Sequence, residues 1–276
     1  MPHVEIDGAT IHYQLLGNPE KPTVMLIAGL GGVGMSWWPQ VARFAERYHV
    51  VLPDHRGTGQ SSRPADGHTM SQNARDMAAV LRHAGLGPAH IVGSSAGGAI
   101  AQIMAIDHSE LVSSVTLTSS FARADAYMRR EFSVLRYLME KADMPTFYAA
   151  LVMMLFAPDY AARNPEAMQA WIDRAAQMPE ERNIAIKRID MVMAHDALAR
   201  LGSIRRPTRI ICGDRDVCTP LSLSKQIADA IPGSEMHVIA DGGHQIHAEK
   251  DSRYFELVSS FIDAQELVRP SLTLAV

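Results

Sequence analysis

Apolar positions change their spacing twice along this chain. Thr10-Ile11-His12-Tyr13-Gln14-Leu15 alternates, as a strand with one buried face does. Residues 3–7 supply its hairpin partner, with Asp7-Gly8 as the turn. Thr23-Val24-Met25-Leu26-Ile27-Ala28 is instead continuously apolar, the pattern of a central parallel strand covered on both faces. Val50-Val51-Leu52-Pro53, Ala89-His90-Ile91-Val92 and Ser114-Val115-Thr116-Leu117-Thr118 repeat it. Helical spacing fills the intervals. Ser36 to Arg47 reads as one helix, and residues 71–85 as another, with Ala74, Met77, Ala78 and Leu81 on one face, Ser71 as N-cap and Gly85 as the C′ stop. From Phe121 to Leu201 only helical patterns occur, divided by Pro145, Pro158, Pro165 and Pro179. The strand–helix rhythm then returns with a strand at Thr208-Arg209-Ile210-Ile211-Cys212, a helix over 221–231, a strand at Met236-His237-Val238-Ile239 and a last helix from about 249 to 268.

The alternation predicts an α/β protein with a mostly parallel eight-stranded sheet flanked by helices. Residues 1–120 and 202–276 form the α/β core, and residues 121–201 an all-helical cap inserted over the C-terminal strand ends, where open α/β sheets place their sites. Met128, Met139, Met144, Met153, Met154, Met168, Met178, Met191 and Met193 stud that insertion, as an adaptable wall for a ligand and as the cap's own core. Cap helices can also pair between subunits, which makes a homodimer an expectation.

Composition narrows the function. The chain has 276 residues, 47% of them hydrophobic and 20% charged, with a formal charge of -4. No basic footprint for nucleic acid is present. No apolar run approaches the ~18 residues that span a bilayer, and Met1-Pro2-His3-Val4-Glu5 lacks the order of a secretion signal. Two cysteines, Cys212 and Cys218, fit a reducing cytoplasm rather than a disulfide scaffold.

The chemistry starts at Gly93-Ser94-Ser95-Ala96-Gly97, between an apolar strand and a small-residue helix. G-x-S-x-G in that setting is a nucleophile elbow: a sharp turn that lifts its serine Oγ clear of the backbone, next to a helix N-terminus. The same five residues could simply make a turn, so the rest of the chain must decide. Past the strand at Cys212 comes Gly213-Asp214-Arg215-Asp216-Val217-Cys218-Thr219-Pro220, with two aspartates on a tight loop. Past the strand at Ile239 comes Ala240-Asp241-Gly242-Gly243-His244-Gln245-Ile246-His247. His244 and His247 have a loose metal-like spacing, but no further ligands accompany them, and no metal is expected. Serine, aspartate, histidine, each after a strand, is the order of one lineage of triad hydrolases.

Over nearly its whole length the chain resembles the α/β-hydrolase fold family. The matching pieces are Gly29-Leu30-Gly31-Gly32, Asp54-His55-Arg56-Gly57-Thr58-Gly59-Gln60-Ser61, the elbow, Asp216 four residues before Pro220, and Gly243-His244. The resemblance implies a catalytic triad of Ser95, Asp216 and His244, choosing Asp216 over Asp214 and His244 over His247. It also implies an oxyanion hole from the backbone N–H groups of Leu30 and Ala96. Ala28-Gly29 replaces the His-Gly that often opens the family's oxyanion loop. Leu26 to Gly32, Trp38-Pro39-Gln40 and Leu155-Phe156-Ala157-Pro158-Asp159-Tyr160 look like the aminoacrylate or carbamate hydrolases of pyrimidine breakdown, which can lack the elbow serine. The layout is also similar to 3-oxoadipate enol-lactonases, which keep it.

The expected activity is therefore cofactor-independent serine hydrolysis of a small carboxylic ester or lactone. Amide, carbamate or C–C bond hydrolysis is the alternative, and a ligand receptor with little turnover the alternative of another class. Trp37, Phe121, Tyr127 and Tyr148 are the candidate substrate-binding walls, and Arg123, Arg129 or Arg130 candidates to meet a substrate carboxylate.

Overall fold

The structure, a computed structural model, describes residues 2–38, 40–177 and 181–268; Pro39, Met178 and Pro179 lie outside the described residues. Its centre is an eight-stranded sheet in the order β1-β2-β4-β3-β5-β6-β7-β8. The strands are β1 (His3–Ile6), β2 (Ala9–Leu16), β3 (Thr23–Ile27), β4 (His49–Pro53), β5 (Ala89–Ser94), β6 (Val112–Thr118), β7 (Thr208–Gly213) and β8 (Glu235–Ile239). The hairpin β1–β2 is antiparallel, as is the β2–β4 pair, and every other neighbour is parallel.

Alternate residues of the central strands feed two cores. Met25 and Ile27 of β3, Val51 of β4 and Ile91 of β5 join one cluster. Val24 and Leu26, Val50 and Leu52, and Val92 join the other. Burial on both faces is why these strands read as unbroken apolar runs. The first core holds α2 (Met70–His83) and α3 (Ala96–Asp107); the second holds α1 (Gln40–Arg47) and α11 (Asp251–Val268).

After β3 the chain goes to β4 on one side, then crosses to β5 on the other. The crevice outside the ends of β3 and β5 is thus a topological switch point, where sheets of this kind bind ligands.

Two local expectations change. A 3-10 turn, Gly34–Trp37, precedes α1, so the helix starts only at Gln40. Thr69, not Ser71, caps α2: its hydroxyl accepts the N–H of Gln72 at 3.0 Å. Gly85 does follow the α2 C-cap, with φ +66°.

Between β6 and β7 lie α4 (Ala126–Lys141), α5 (Met144–Leu155), α6 (Pro158–Arg163), α7 (Pro165–Ala176) and α8 (Arg182–Ala194). Pro145, Pro158 and Pro165 sit in first turns, where a missing N–H costs nothing; they start helices rather than break them. A bridge between Arg123 and Asp196, with the Ala197 N–H donating to Ala122 O at 2.8 Å, ties the two ends of this segment together. Met128, Phe132, Leu135 and Met139 of α4 and Ile189, Met191 and Val192 of α8 join the first sheet core. Met168 joins a small cluster with Val152 and Phe156, and Met153 is exposed. No described helix is long and apolar enough to cross a membrane. The remaining helices are α9 (Leu221–Ala230) and α10 (Ile246–Glu249).

The Asp54–Ser61 segment braces the crevice. Asp54 accepts the N–H of Gly34 at 2.8 Å and of Gln60 at 2.9 Å, while Thr58 Oγ1 donates to Gly32 O at 2.9 Å. Arg56 pairs with Asp76 through two bonds of 2.6 and 2.7 Å, both side chains almost wholly buried. Burial pushes the Asp76 carboxyl up, against the pull of Arg56. Removing one partner of such a pair strands the other charge. Arg56→Met is expected to lower unfolding free energy by about 3–5 kcal/mol in urea denaturation, and Arg56→Met with Asp76→Leu to recover most of it. A single variant as stable as the double would contradict this account of the pair.

Candidate active site

Ser95 follows β5 directly and holds φ +56°, ψ −121°, as the residue before α3. A non-glycine residue there is strained, and the surroundings hold it in place. Its N–H donates to Thr118 O at 2.8 Å, and its carbonyl accepts from Ser120 Oγ at 2.8 Å and from the Gly98 N–H at 2.9 Å. A Cβ on Gly93 would collide with the Gly97 carbonyl, and one on Gly97 with the carbonyls of Ile27 and Ala28. The elbow's two glycines are therefore demanded by close backbone approach. Gly29 lies on the other side of the crevice: a Cβ there would stand 4.0 Å from Ser95 Oγ. Ala96 opens α3, so its N–H has no acceptor within the helix.

The loop 29–32 is held from the inserted helices. Arg188 of α8 is 2% exposed. Its guanidinium donates to Leu30 O at 2.6 and 3.1 Å, to Arg56 O at 3.1 Å and to His55 Nδ1 at 3.1 Å. Burial, and then Arg188 itself, keep the His55 pKa well below the usual imidazole value, so its Nδ1 is free to accept. Fixing the Leu30 carbonyl fixes the path of the loop after β3, whose Gly32 N–H turns back onto Gly29 O at 3.0 Å.

Asp216 and His244 come together at the ends of β7 and β8. Nδ1 of His244 lies 2.9 and 3.1 Å from the two Asp216 oxygens. The aspartate also accepts the N–H and Oγ1 of Thr219, both at 2.8 Å, and Thr219 Oγ1 is 3.1 Å from His244 Nδ1. Those acceptors assign the proton to Nδ1, leaving Nε2 as the basic nitrogen. Burial works to lower the pKa of the ring, but Asp216 and Cys218 more than offset it, and His244 stands well above the ordinary imidazole value. Asp214 is exposed. His247 packs against Trp37 and Tyr254, and burial holds it down to about 4. Among the described residues no hydrogen bond joins Ser95 Oγ to His244; contacts of that kind often close only around a substrate.

The His244 loop is fastened to the insertion. Gln245 N–H donates to Leu155 O at 2.9 Å, and Glu249 accepts from Gly243 N at 3.1 Å and Ala157 N at 3.3 Å. Burial raises the Glu249 carboxyl, and those two N–H groups oppose it.

The expected wall residues separate. Trp37 is stacked inside the second core and Phe121 is buried edge-on to His195. Tyr148 packs edge-on to Trp171 within the insertion. Tyr127 is exposed, within electrostatic reach of Glu131, Cys218 and Asp216. Arg129 is occupied by the carbonyls of Ala124 and Met193. Two surface cavities, of about 460 and 530 Å³, lie away from Ser95, Asp216 and His244. Sequence reasoning missed Arg188, Glu249 and Thr219. Of these Thr219 carried a local signal, because an Asp followed three residues later by a hydroxyl residue closes a local turn.

A sequence model of the alpha/beta hydrolase fold matches residues 22–251. A Caulobacter vibrioides protein named carbamate hydrolase RutD is 31% identical over 261 residues, 94% of this chain and 96% of its own. Among solved structures, Est816, described as an N-acyl homoserine lactone degrading enzyme, is 30% identical with a TM-score of 0.81, covering 94% of this chain and 100% of its own. The enol-lactonase of Burkholderia xenovorans LB400 matches in fold, at 23% identity and a TM-score of 0.86, over 95% of this chain and 100% of its own.

If Arg188 orients the Leu30 loop, Arg188→Met should slow phosphonylation of the protein by a fluorophosphonate by about tenfold or more, short of the 10²–10³ lost with an oxyanion donor itself. Labelling at the wild-type rate would deny Arg188 this role.

Proposed function

The chain belongs to the alpha/beta hydrolase fold family, and from that premise we propose that it is a serine hydrolase that cleaves a small carboxylic ester or lactone through an acyl-enzyme. The observation that carries this reading is the strained Ser95 at the elbow, past the same end of the parallel strands as a buried Asp216–His244 pair. Ser95 Oγ attacks the carbonyl carbon while His244 Nε2 takes its proton. Asp216 holds the tautomer and stabilises the imidazolium. The N–H groups of Leu30 and Ala96 receive the negative charge that builds on the carbonyl oxygen. Collapse of the tetrahedral species expels the alcohol, protonated by His244. Water, deprotonated by the same ring, then releases the acid. The five helices between β6 and β7 act in this reading as the cap over residues 121–201, on a core of 1–120 and 202–276.

A second reading has its own support. The 31% identical relative is named for carbamate hydrolysis, and the same residues would serve an amide or carbamate carbonyl. A panel of short esters, lactones and carbamates separates the two by kcat/KM.

Two outcomes test the chemistry. Ser95→Ala should lose up to about 10⁶-fold in kcat on the preferred substrate, the scale seen when a triad nucleophile is removed. Near-full turnover by that variant would exclude the acyl-enzyme. His244 must be neutral to act as base, and its pKa is raised, so the rate should climb with pH and its midpoint should lie above 6.5. Asp216→Asn removes the main upward influence; the midpoint should fall, with a loss of the order of 10⁴ in kcat.

A further inference from the structure

Glu131 is a part-buried carboxyl near this chemistry that neither the fold nor the reaction above uses. It lies on α4, one turn after Tyr127, beside the buried stripe Met128, Phe132 and Leu135. Residues four apart share a helix face. Tyr127 feels the charges of Glu131, Cys218 and Asp216; Glu131 feels those of His244, Asp216 and Asp125; and Cys218 feels Glu131. Glu131 is therefore within electrostatic reach of the loops that carry Asp216 and His244. Its Oε2 is buried with no hydrogen-bond partner, and the side chain takes part in no ion pair among the described residues. A carboxylate oxygen buried with no donor is costly. Elsewhere the fold satisfies its interior acids: Asp76 has Arg56 and Gln72, and Glu249 has two backbone N–H groups.

We propose that Glu131 is a specificity-determining residue of this site, favouring substrates that bring an ammonium or other hydrogen-bond donor to it and rejecting those that bring a carboxylate. This deepens the hydrolase reading and rests on it. A donor group from the substrate supplies the partner that Oε2 lacks, whereas a second carboxylate would sit against Glu131 and Asp216 in poorly solvated surroundings. Burial pushes the Glu131 carboxyl up to about 7; His244 when charged pulls it down, and Asp216 and Asp125 push it up. The titratable groups facing it are Asp125 and Tyr127 on its own side, Asp216 and Cys218 after β7, and His244 after β8. Between pH 6 and pH 8 Glu131 passes from mostly neutral to mostly charged, so discrimination by charge strengthens as pH rises.

The test uses three matched substrates: 4-nitrophenyl esters of hexanoic acid, 6-aminohexanoic acid and adipic acid (as the monoester). Acetylcholine against 3,3-dimethylbutyl acetate places the charge in the alcohol instead. The readout is the ratio of kcat/KM within each series, which cancels the protonation of His244. In the wild type, in at least one series, the cationic-to-neutral ratio should rise from pH 6 to pH 8. The adipate-to-hexanoate ratio should fall over the same range if the acyl chain is what meets Glu131. Glu131→Gln should flatten the profile that moved and change its ratio at pH 8 by about tenfold, with fluorophosphonate labelling of Ser95 retained. Ratios in both series that stay within about twofold of wild type and flat with pH overturn the assignment. If no ester is hydrolysed by either protein, the Ser95 reading is what has failed. Glu131 is then judged from shifts in Tm with hexylamine, 1-hexanol and hexanoate. A larger shift by hexylamine in wild type than in Glu131→Gln supports the assignment, and equal shifts overturn it.

Discussion

Everything at this site depends on how closely two pieces of backbone meet beneath Ser95. The turn from β5 into α3 presses on the end of β3, and there is no room for a Cβ at Gly93 or Gly97. That contact forces Ser95 to φ +56°. The strain, of order 1–3 kcal/mol, is held by bonds from Thr118, Ser120 and Gly98. The same packing puts the first N–H groups of α3 and the loop after β3 on one crevice. A serine at this apex is aimed by the sheet itself, before any neighbour acts on it.

The other half of the site is organised by the inserted helices. Arg188 of α8 grips the carbonyls of Leu30 and Arg56, and the segment after α5 is bonded to the loop bearing His244 through Gln245 and Glu249. The insertion also shares the first sheet core. A displacement of these helices would therefore be felt at the loop after β3 and at the histidine together. These helices thereby bear on the geometry of both loops.

What was legible in the sequence was local or strand-borne. Continuous apolar runs marked the central strands because both their faces are buried, and the glycines of the elbow marked a contact only glycine allows. An acid and a histidine after the last two strands could be expected from the alternation, and the resemblance to the α/β-hydrolase fold family singled out Asp216 and His244 among them. Pairings between residues far apart in the chain left no such trace. Arg188 and Leu30 are separated by 158 positions, and Gly32 and Thr58 meet across 26. An arginine or a glutamate on an amphipathic helix looks solvated until the fold buries it, which is why Arg188 and Glu131 went unseen. Trp37 and Phe121 are both buried, and in a sequence an aromatic ring reads the same whether it lines a pocket or fills a core. Ser71 lost the helix cap to Thr69 by two residues, the usual margin where several hydroxyls precede a helix.

The central claim is that Ser95 becomes covalently acylated during turnover. Intact-protein mass spectrometry on enzyme acid-quenched during hydrolysis of 4-nitrophenyl hexanoate, followed by peptide mapping, measures it most directly. The account predicts a mass increase equal to the acyl group on the peptide carrying Ser95, absent from Ser95→Ala. Continued turnover with no adduct on Ser95, sustained in Ser95→Ala, would contradict it.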